Sequence, residues 1–333
     1  MDDVAAVAGV SRGTVSRALR GGEKVSAAAM RAIHAAVKET GYVVNRHARS
    51  LASRRSETVA LVLCAPPARL GEDPSFNILL FGCVQALSGH GISVSLSVAG
   101  SDAERGRIKE QLAGGQVDGA LVIAAHHLDS FAEELAAGGI PTVVCGAAPC
   151  GGDRRPDPNR PLSVVSTDDR DGARSLVRYL RGTGRRTIAT IAGPTDTNCG
   201  ASRLAGWRDV VGADAAEDLI AVGDYTRDSG HAAMVELLKR VPDLDAVFVA
   251  SDLMAAGALA ALHASGRRVP DDVAVGGFED SAVAMTVQPT LTTVRRPLER
   301  ISTEMVRLLL GQIDGEPPTH VVLPTGLVLR DSA

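Results

Sequence analysis

Apolar side chains recur every three or four positions in three short runs of the first 44 residues, which is the spacing of amphipathic helices. We predict helices over residues 2–8, 11–19 and 26–40. Gly9 can adopt the positive φ of a tight turn between the first two helices, and Gly41 can end the third. Three short helices with such a turn are typical of a helix-turn-helix unit. The side chains predicted to face inward are Val4, Val7, Val15, Leu19, Met30, Ile33 and Val37, with Asp2 and Ser11 as candidate N-caps.

From Thr58 onward the pattern changes to short, continuously apolar strands that alternate with longer helical stretches. Such strands are typical of parallel sheets that helices cover on both faces. Two series in tandem predict two doubly wound lobes with a cleft between them, and we expect the last segment, 290–330, to cross back and complete them. The predicted strands are 58–65, 92–99, 117–125 and 141–146 in the first series, and 162–167, 186–193, 219–225, 245–251 and 273–280 in the second.

This pattern divides the chain into three parts. We predict a helix-turn-helix unit over residues 1–44, a polar and basic linker or conditional helix over 45–57, and a two-lobed core over 58–330; the family resemblance given below implies that the first is a DNA-binding domain and the second a hinge. The lobes are expected to take about 58–165 with part of 295–323, and about 166–294 with the C-terminal end.

Charge is distributed unevenly between these parts. Residues 1–56 carry ten Lys/Arg and four Asp/Glu, a local charge of +6, although the whole chain has a net charge of -4. The remaining 277 residues therefore carry a charge of -10. A basic terminal module on an acidic body indicates a polyanion as partner, while charge alone fits a solvated basic surface equally well.

Several function classes find no support in the sequence. No run approaches the ~18 apolar residues that span a bilayer, and the N-terminus lacks the apolar segment of a secretion signal, so we expect a cytoplasmic protein. The five cysteines are scattered without a Cys-x-x-Cys pair, which fits a reducing compartment and predicts no metal site. No phosphate-binding loop, Gly-x-Ser-x-Gly or His-Glu-x-x-His motif is present, so we predict no enzymatic activity, no catalytic residue and no cofactor.

A set of segments in fixed order covers nearly the whole chain. DVAAVAGVSRGTVSRAL is followed by ETGYVVNRHARSLAS and then by VDGALVI, GIPTVV, RLAGW, FVASDLMAAGALAAL, RVPDDVAVGGFED and PTLTTVRRPLE. Together they resemble the headpiece, hinge and core of the LacI/GalR family of bacterial transcription repressors. The resemblance implies an all-α helix-turn-helix headpiece plus an α/β core of two doubly wound parallel-sheet lobes of the periplasmic-binding-protein type. It also implies a sequence-specific DNA-binding regulator whose affinity for DNA is controlled by a small effector.

In that family the second helix enters the major groove by its N-terminal residues. Arg12 and Arg17 can each pair with guanine, whereas Gly13 permits close approach or leaves one base pair unread. The hydroxyl groups of Ser11, Thr14 and Ser16 can bind phosphates, and Ser11 fits the N-cap of the helix equally well. The resemblance further places the hinge leucine, Leu51, as a wedge in the minor groove. The DNA-binding candidates are Ser11, Arg12, Gly13, Thr14, Ser16, Arg17, Asn45, Ala48 and Leu51.

Ligands of open α/β folds bind beyond the carboxyl ends of the strands. The predicted strands deliver Ser251 and Glu279 to such ends, and Arg203 is expected to begin the helix RLAGW. An arginine with carboxylates and an aromatic ring suits a sugar or sugar derivative, with a nucleobase-like ligand as the alternative. The positions that match the family's effector contacts are Phe76, Asp171, Arg203, Tyr225, Ser251 and Glu279.

Structural roles are the alternatives for several of these residues. Asp171 fits an acid in the first turn of a helix, Phe76 fits the core of a lobe, and the neighbouring Asp252 is interpreted as an N-cap. His126 and His127 are interpreted as part of a solvated loop. For the whole protein the alternative is a cytosolic sugar-binding protein that does not bind DNA, while a periplasmic receptor conflicts with the extra headpiece and the missing signal.

The segment after the last core strand is short and shows no leucine heptads. We therefore expect a homodimer on a pseudo-palindromic operator rather than a tetramer. The resemblance leaves open whether the effector releases or recruits DNA, because both behaviours occur in the family.

Overall fold

The computed structural model describes residues 1–19, 25–42, 55–65, 67–124, 129–146, 162–212 and 215–333. These residues form two units, Met1–Ser56 and Glu57–Ala333. Among them, no helix is both long and apolar enough to cross a membrane.

The first unit contains the three predicted helices. They are α1 (Asp2–Ala8), α2 (Arg12–Leu19) and α3 (Ala27–Thr40). Gly9 and Gly41 both have positive φ, at 65° and 63°, which confirms their predicted roles as a turn residue and a helix stop. A small core holds the helices together, with the side chains of Val4, Val15 and Ile33 fully buried. These three positions were predicted to face inward.

Two details of the first helix were predicted incorrectly. Asp2 is not an N-cap, because the helix begins at Asp2 itself and Met1 is the residue before it. A carboxylate in the first turn still interacts favourably with the positive end of the helix dipole. Val7 was predicted to face inward but is 48% exposed, because this short helix packs through Val4, Ala5 and Ala8 instead.

The second unit contains two six-stranded sheets, and every strand pair in them is parallel except the one at the C-terminal edge. The strands are β1 (Thr58–Cys64), β2 (Ser93–Val98), β3 (Gly119–Ala124), β4 (Thr142–Cys145), β5 (Ser163–Thr167), β6 (Ile188–Ala192), β7 (Ile220–Val222), β8 (Ala246–Val249), β9 (Ala274–Glu279), β10 (Thr292–Arg295), β11 (His320–Leu323) and β12 (Gly326–Val328). The first sheet has the strand order β11-β5-β4-β3-β1-β2 and the second β12-β10-β9-β8-β6-β7.

Helices cover both faces of each sheet, as parallel sheets require. In β1 alternate side chains enter two different apolar clusters, with Leu61 on one face and Val62 on the other. We call the first sheet with its helices the first lobe, and the second sheet with its helices the second lobe. The helices are α4 (Pro67–Glu72), α5 (Pro74–Gly89), α6 (Asp102–Ala113), α7 (Asp129–Ala137), α8 (Asp169–Gly182), α9 (Asn198–Val211), α10 (Arg227–Arg240), α11 (Asp252–Ala264), α12 (Ala282–Thr286) and α13 (Leu298–Ile313).

The chain passes between the lobes later than the sequence pattern predicted. The strand Ser163–Thr167 was assigned to the second series, but it pairs with β4 and β11 in the first sheet. The crossing therefore falls between Thr167 and the start of α8 at Asp169. Apolar strands of either sheet have the same pattern, so periodicity cannot distinguish which sheet a strand joins. The C-terminal segment does return to both sheets, as predicted.

Candidate functional site

Helix α2 presents a polar and basic face. Val15 and Ala18 are buried in the headpiece core, whereas Arg12, Gly13 and Arg17 are exposed. The Arg17 Nε donates to the Gly13 carbonyl oxygen at 3.3 Å, which keeps this side chain along the helix. The face therefore offers two guanidinium groups within a little over one turn, which suits contact with phosphates and base edges.

The start of α2 is fixed by a local cap. The Thr14 backbone N–H donates to the Ser11 Oγ at 3.1 Å, and the two hydroxyl groups lie 2.9 Å apart. Ser11 thus fills the capping role that the sequence allowed, and Thr14 and Ser16 are half-buried. Arg12 pairs loosely with Asp2, at 3.6 Å between exposed groups. The hinge candidates Asn45, Ala48 and Leu51 lie outside the described residues, as do His126 and His127.

A second polar cluster lies at the carboxyl ends of the strands of the core, around Arg203. This side chain is fully buried, and its guanidinium carbon lies 3.9 Å from the centre of the Phe278 ring. Its Nε donates to the Asp169 Oδ2 at 2.9 Å, and its Nη1 donates to the Ala250 carbonyl oxygen at 2.6 Å. Burial alone would lower the pKa of Arg203, but Asp169 and further neighbours raise it above its ordinary value, so the group stays charged.

Asp169 is a residue that sequence reasoning missed. It begins α8 directly after β5, and its second oxygen accepts from the Thr167 hydroxyl. The predicted contact, Asp171, lies two residues further on and pairs with the Arg174 guanidinium at 2.7 Å on the same helix. The structure therefore brings Asp169, and not Asp171, to Arg203. The signal for this was the position of Asp169 next to the end of a strand, where ligand-facing groups are expected.

Glu279 closes the other side of the cluster. It ends β9 with a φ of 113°, a left-handed backbone that side chains other than glycine rarely adopt and that costs about 1–3 kcal/mol. Its Oε1 lies 3.8 Å from the Arg203 Nη1 and 3.7 Å from the Arg296 Nη1, which are long ion pairs. Burial raises the pKa of Glu279 to about 8. The negative charge of Asp73 also raises this pKa, whereas the positive charges of Arg203 and Arg296 lower it.

Arg296 is a second residue that was missed. It lies between β10 and α13, where the chain crosses from the second lobe to the first. Its Nε is buried and has no hydrogen-bond partner among the described residues. The sequence signal was the doubled arginine in TVRRP, of which Arg295 turns outward to pair with Asp280 at 2.6 Å. Arg296 thus supplies a second guanidinium to the cluster with unused hydrogen-bonding capacity.

Ser251 and the neighbouring Asp252 both make hydrogen bonds within the second lobe. Ser251 is the N-cap of α11, since its Oγ accepts from the Met254 backbone N–H at 3.2 Å. Asp252 was interpreted as that cap, and this was wrong. Its carboxylate is buried and accepts from the Ser281 N–H at 2.7 Å and from the Thr293 hydroxyl at 2.6 Å. Burial raises the pKa of Asp252 to about 7.

The two aromatic candidates are largely buried in their lobes. Phe76 packs in the apolar core of the first lobe, beside Leu79 and Cys83. Tyr225 has a φ of 70°, its hydroxyl group lies 3.3 Å from the Cys199 Sγ, and a side-chain atom on Gly193 would overlap its ring. Arg203 was expected to begin its helix, but α9 starts at Asn198, so Arg203 points inward from the second turn.

The cluster holds no metal site within the described ranges, where no three His, Cys, Asp or Glu side chains are grouped to bind an ion. Its chemistry is that of a polar binding site: two guanidinium groups donate hydrogen bonds, and two carboxyl groups accept them. A helix-turn-helix unit joined to a two-lobed core with such a cluster defines the class of ligand-responsive DNA-binding proteins.

Comparison with known proteins identifies the family. Residues 1–45 match the family described as bacterial regulatory proteins, lacI family, and residues 177–333 match a periplasmic binding protein-like domain. The HTH-type transcriptional regulator CelR of Thermobifida fusca is 45% identical over 337 residues, covering 100% of this chain and 97% of CelR. The ribose operon repressor of Halalkalibacterium halodurans is 31% identical to this chain. The alignment covers 99% of this chain and 96% of that repressor. The chain belongs to the lacI family of transcriptional regulators.

Solved structures agree with this assignment. A complex of the transcriptional regulator CelR with cellobiose has a TM-score of 0.78 at 43% identity, covering 100% of this chain and 99% of that one. A lac repressor dimer bound to operator and the anti-inducer ONPF has a TM-score of 0.84 at 27% identity. The match covers 99% of this chain and 97% of that one. These relatives are regulators and not enzymes. The fold class predicted from the sequence is confirmed.

Proposed function

We propose that this protein is a transcriptional repressor that binds a pseudo-palindromic operator as a homodimer and responds to a sugar bound in its core. The observation that carries the proposal is the presence in one chain of an exposed basic face on α2 and a buried Arg203–Glu279 cluster at the strand ends. The first suits DNA and the second suits a small polar ligand. Because a bacterial repressor binds its operator in the cytoplasm, the cytoplasm is the location that we propose for this protein.

The effector we propose is a neutral sugar of the cellobiose type. The guanidinium groups of Arg203 and Arg296 can donate to ring and hydroxyl oxygens, and the Glu279 carboxyl group can bind a hydroxyl. A transcriptional regulator CelR that is 43% identical to this chain has been solved in complex with cellobiose. Effector binding between two lobes can favour one lobe arrangement and thereby change operator affinity.

Exposed apolar side chains support a homodimer. Phe81 on α5 is 67% exposed, and Leu96 on the edge strand β2 is 49% exposed. Both belong to the first lobe, in which α5 and β2 share an apolar cluster beneath these residues. Large apolar side chains exposed on neighbouring elements are typical of a surface that another protein covers. The lac repressor relative was solved as a dimer on operator, and a second copy of this chain is the partner we propose.

Binding-site selection from random DNA, followed by titration of the selected site, tests the proposal. We expect a pseudo-palindromic sequence bound by two chains, with affinity falling roughly 10³–10⁵-fold between 50 and 200 mM salt for 6–10 phosphate contacts. Cellobiose is expected to change this affinity, whereas a purine and a sugar phosphate at equal concentration are not. Binding by one chain, or a response to the purine alone, would contradict the proposal.

Arg17 is expected to read sequence rather than only phosphate. Arg17→Ala should reduce the preference for the selected operator over random DNA by about 1–3 kcal/mol, because a bidentate contact with guanine is lost. Arg31→Ala on α3, another exposed arginine of the headpiece, is the matched control for loss of one positive charge. Competition gel shifts with both DNAs measure the preference. If both variants weaken operator and random DNA equally, Arg17 is not a base-reading residue.

A further inference from the structure

Asp2 places a negative charge beside the helix face that is proposed to meet DNA. Its Oδ1 lies 3.6 Å from the Nη1 of Arg12, which is the first residue of α2. Residues 1–56 contain only four acidic side chains against ten Lys/Arg. A carboxylate near a phosphate backbone repels it, so this position of Asp2 weakens affinity for DNA in general. Its position next to Arg12 therefore calls for a role other than strong binding.

The folded headpiece holds both backbones of this pair in place. Asp2 begins α1, and Val4, two residues further on, is fully buried. Arg12 begins α2, whose start is capped by Ser11, and Val15 in the next turn is fully buried. The side chains themselves remain 69% and 75% exposed for Arg12 and Asp2. The pair is thus anchored from below and accessible to any molecule that docks on α2.

An arginine at this position can bind two different parts of DNA. Bound to phosphate, it neutralises a charge and releases counterions, which gives affinity without sequence information. Bound to guanine, it donates to the O6 and N7 atoms, which are uncharged acceptors, and so reads the base. The specificity of the headpiece depends on how strongly Arg12 prefers the second contact to the first.

Asp2 acts differently on these two contacts. A guanidinium group has five N–H donors, and guanine uses two of them, so Arg12 can bind the base and still face Asp2. A phosphate on Arg12 instead brings a second negative charge towards Asp2. For unit charges about 6 Å apart in water, the repulsion corresponds to about a threefold loss of affinity per headpiece, or about tenfold for two. Asp2 therefore penalises the phosphate contact more than the base contact.

Arg17 shows the contrast within the same helix. Its Nε donates to the Gly13 carbonyl oxygen at 3.3 Å, an uncharged acceptor that leaves the positive charge of the guanidinium undiminished. Arg17 is thus directed by its own helix backbone, whereas Arg12 is paired with a carboxylate of another helix. The charge on Arg12 is the one that the fold offsets.

We propose that Asp2 is a specificity-determining residue, which acts by directing Arg12 away from phosphate and towards guanine. The inference rests on the proposed function, because it concerns the same DNA-binding face. Specificity is a difference between two affinities, and a group that repels the wrong contact increases it as effectively as a group that strengthens the right one. Asp2 supplies such a repulsion at the start of α2.

Replacing Asp2 with asparagine in the full-length protein tests this, with the selected operator and random DNA titrated over a range of salt concentrations. Affinity of the dimer for random DNA is expected to rise by about tenfold. The slope of its log affinity against log salt should steepen by up to about 0.9 for each headpiece, because each Arg12 is freed to neutralise a phosphate. Operator affinity should rise less, so the preference for operator should fall.

Two comparisons isolate the pair. Asp3→Asn removes the same charge from the same exposed turn of α1, and it should leave the preference for operator nearly unchanged. In the Arg12→Ala background, Asp2→Asn should no longer steepen the salt dependence on random DNA, because the two residues act as one unit.

The proposal is overturned if Asp2→Asn strengthens operator and random DNA equally, if Asp3→Asn has the same effect, or if the effect persists without Arg12. Selection of no preferred DNA sequence would reject the operator of the proposed function, while the salt dependence on random DNA would still decide whether Asp2 restrains Arg12. Failure to bind either DNA would overturn both.

Discussion

Replacing Arg203 with alanine is expected to lower the free energy of unfolding of the core by about 3–5 kcal/mol, because it leaves a buried charge without its partner. Asp169 would remain buried at the start of α8, and the Ala250 carbonyl oxygen would lose a donor. The space over the Phe278 ring would also be left unfilled. Each of these changes is unfavourable in a buried site.

Urea denaturation measures the effect with a built-in probe. Trp207 is the single tryptophan of the chain, is fully buried, and lies on the same helix as Arg203, one turn further on. Arg208→Ala is the matched control, since Arg208 pairs with Glu217 at the surface and exposed pairs contribute about 0–1 kcal/mol. If the two variants unfold at the same urea concentration, the Arg203–Asp169 pair does not stabilise the core.

This stability role affects how the effector site is tested. A lost sugar response in Arg203→Ala would reflect a damaged lobe as readily as a lost contact. Arg296→Gln is more informative, because it replaces a group whose Nε has no hydrogen-bond partner among the described residues.

Periodicity predicted most of the fold because it reports which face of an element is buried. The three headpiece helices and the alternating strands of the core follow directly from it. It did not predict the sheet to which Ser163–Thr167 belongs, because that depends on pairing with a strand more than 150 residues away, His320–Leu323. Strand membership is a property of tertiary contacts, and a local pattern carries no information on it.

The candidate site was predicted to within one turn but not to the residue. Asp171 was chosen where Asp169 makes the contact with Arg203, because both acids lie in the first turn of α8 and differ only in direction. Phe76 was chosen as an effector contact, with the core of its lobe as the alternative, and the structure places it in that core. The direction in which a side chain points from the first turn of a helix depends on where that helix begins. The start of α8, with Asp168 as its N-cap, was visible only in the structure.

Arg203 and Glu279 were paired correctly as residues of one cluster, at 3.8 Å. Both follow or face the carboxyl ends of parallel strands, and such ends meet at one edge of a sheet. The effector contacts themselves, and the base contacts of Arg12 and Arg17, stay predictions.

Ile33→Ala is expected to weaken operator binding at least tenfold while leaving effector binding intact. Ile33 is fully buried in the core of the first unit, between α1 and α2 residues such as Val4 and Val15. An isoleucine-to-alanine change in a core costs about 2–5 kcal/mol. A unit of 56 residues, Met1–Ser56, has a total stability of roughly 3–8 kcal/mol. The substitution therefore removes much or all of the stability that holds α2 in its folded orientation.

The substitution Ile33→Ala should not change the stability or the effector binding of the core, because residues 57–333 form a separate unit with their own apolar clusters. Gel shifts are expected to show at least a tenfold loss of operator affinity in Ile33→Ala, while calorimetry shows unchanged cellobiose binding and Trp207 fluorescence shows unchanged unfolding of the core. Val7→Ala is the control, since Val7 is 48% exposed in the same unit and surface changes usually fall within about 0.5 kcal/mol. Normal operator binding by Ile33→Ala would mean that DNA recognition does not depend on the folded headpiece, and it would remove the basis for assigning the exposed face of α2 to DNA.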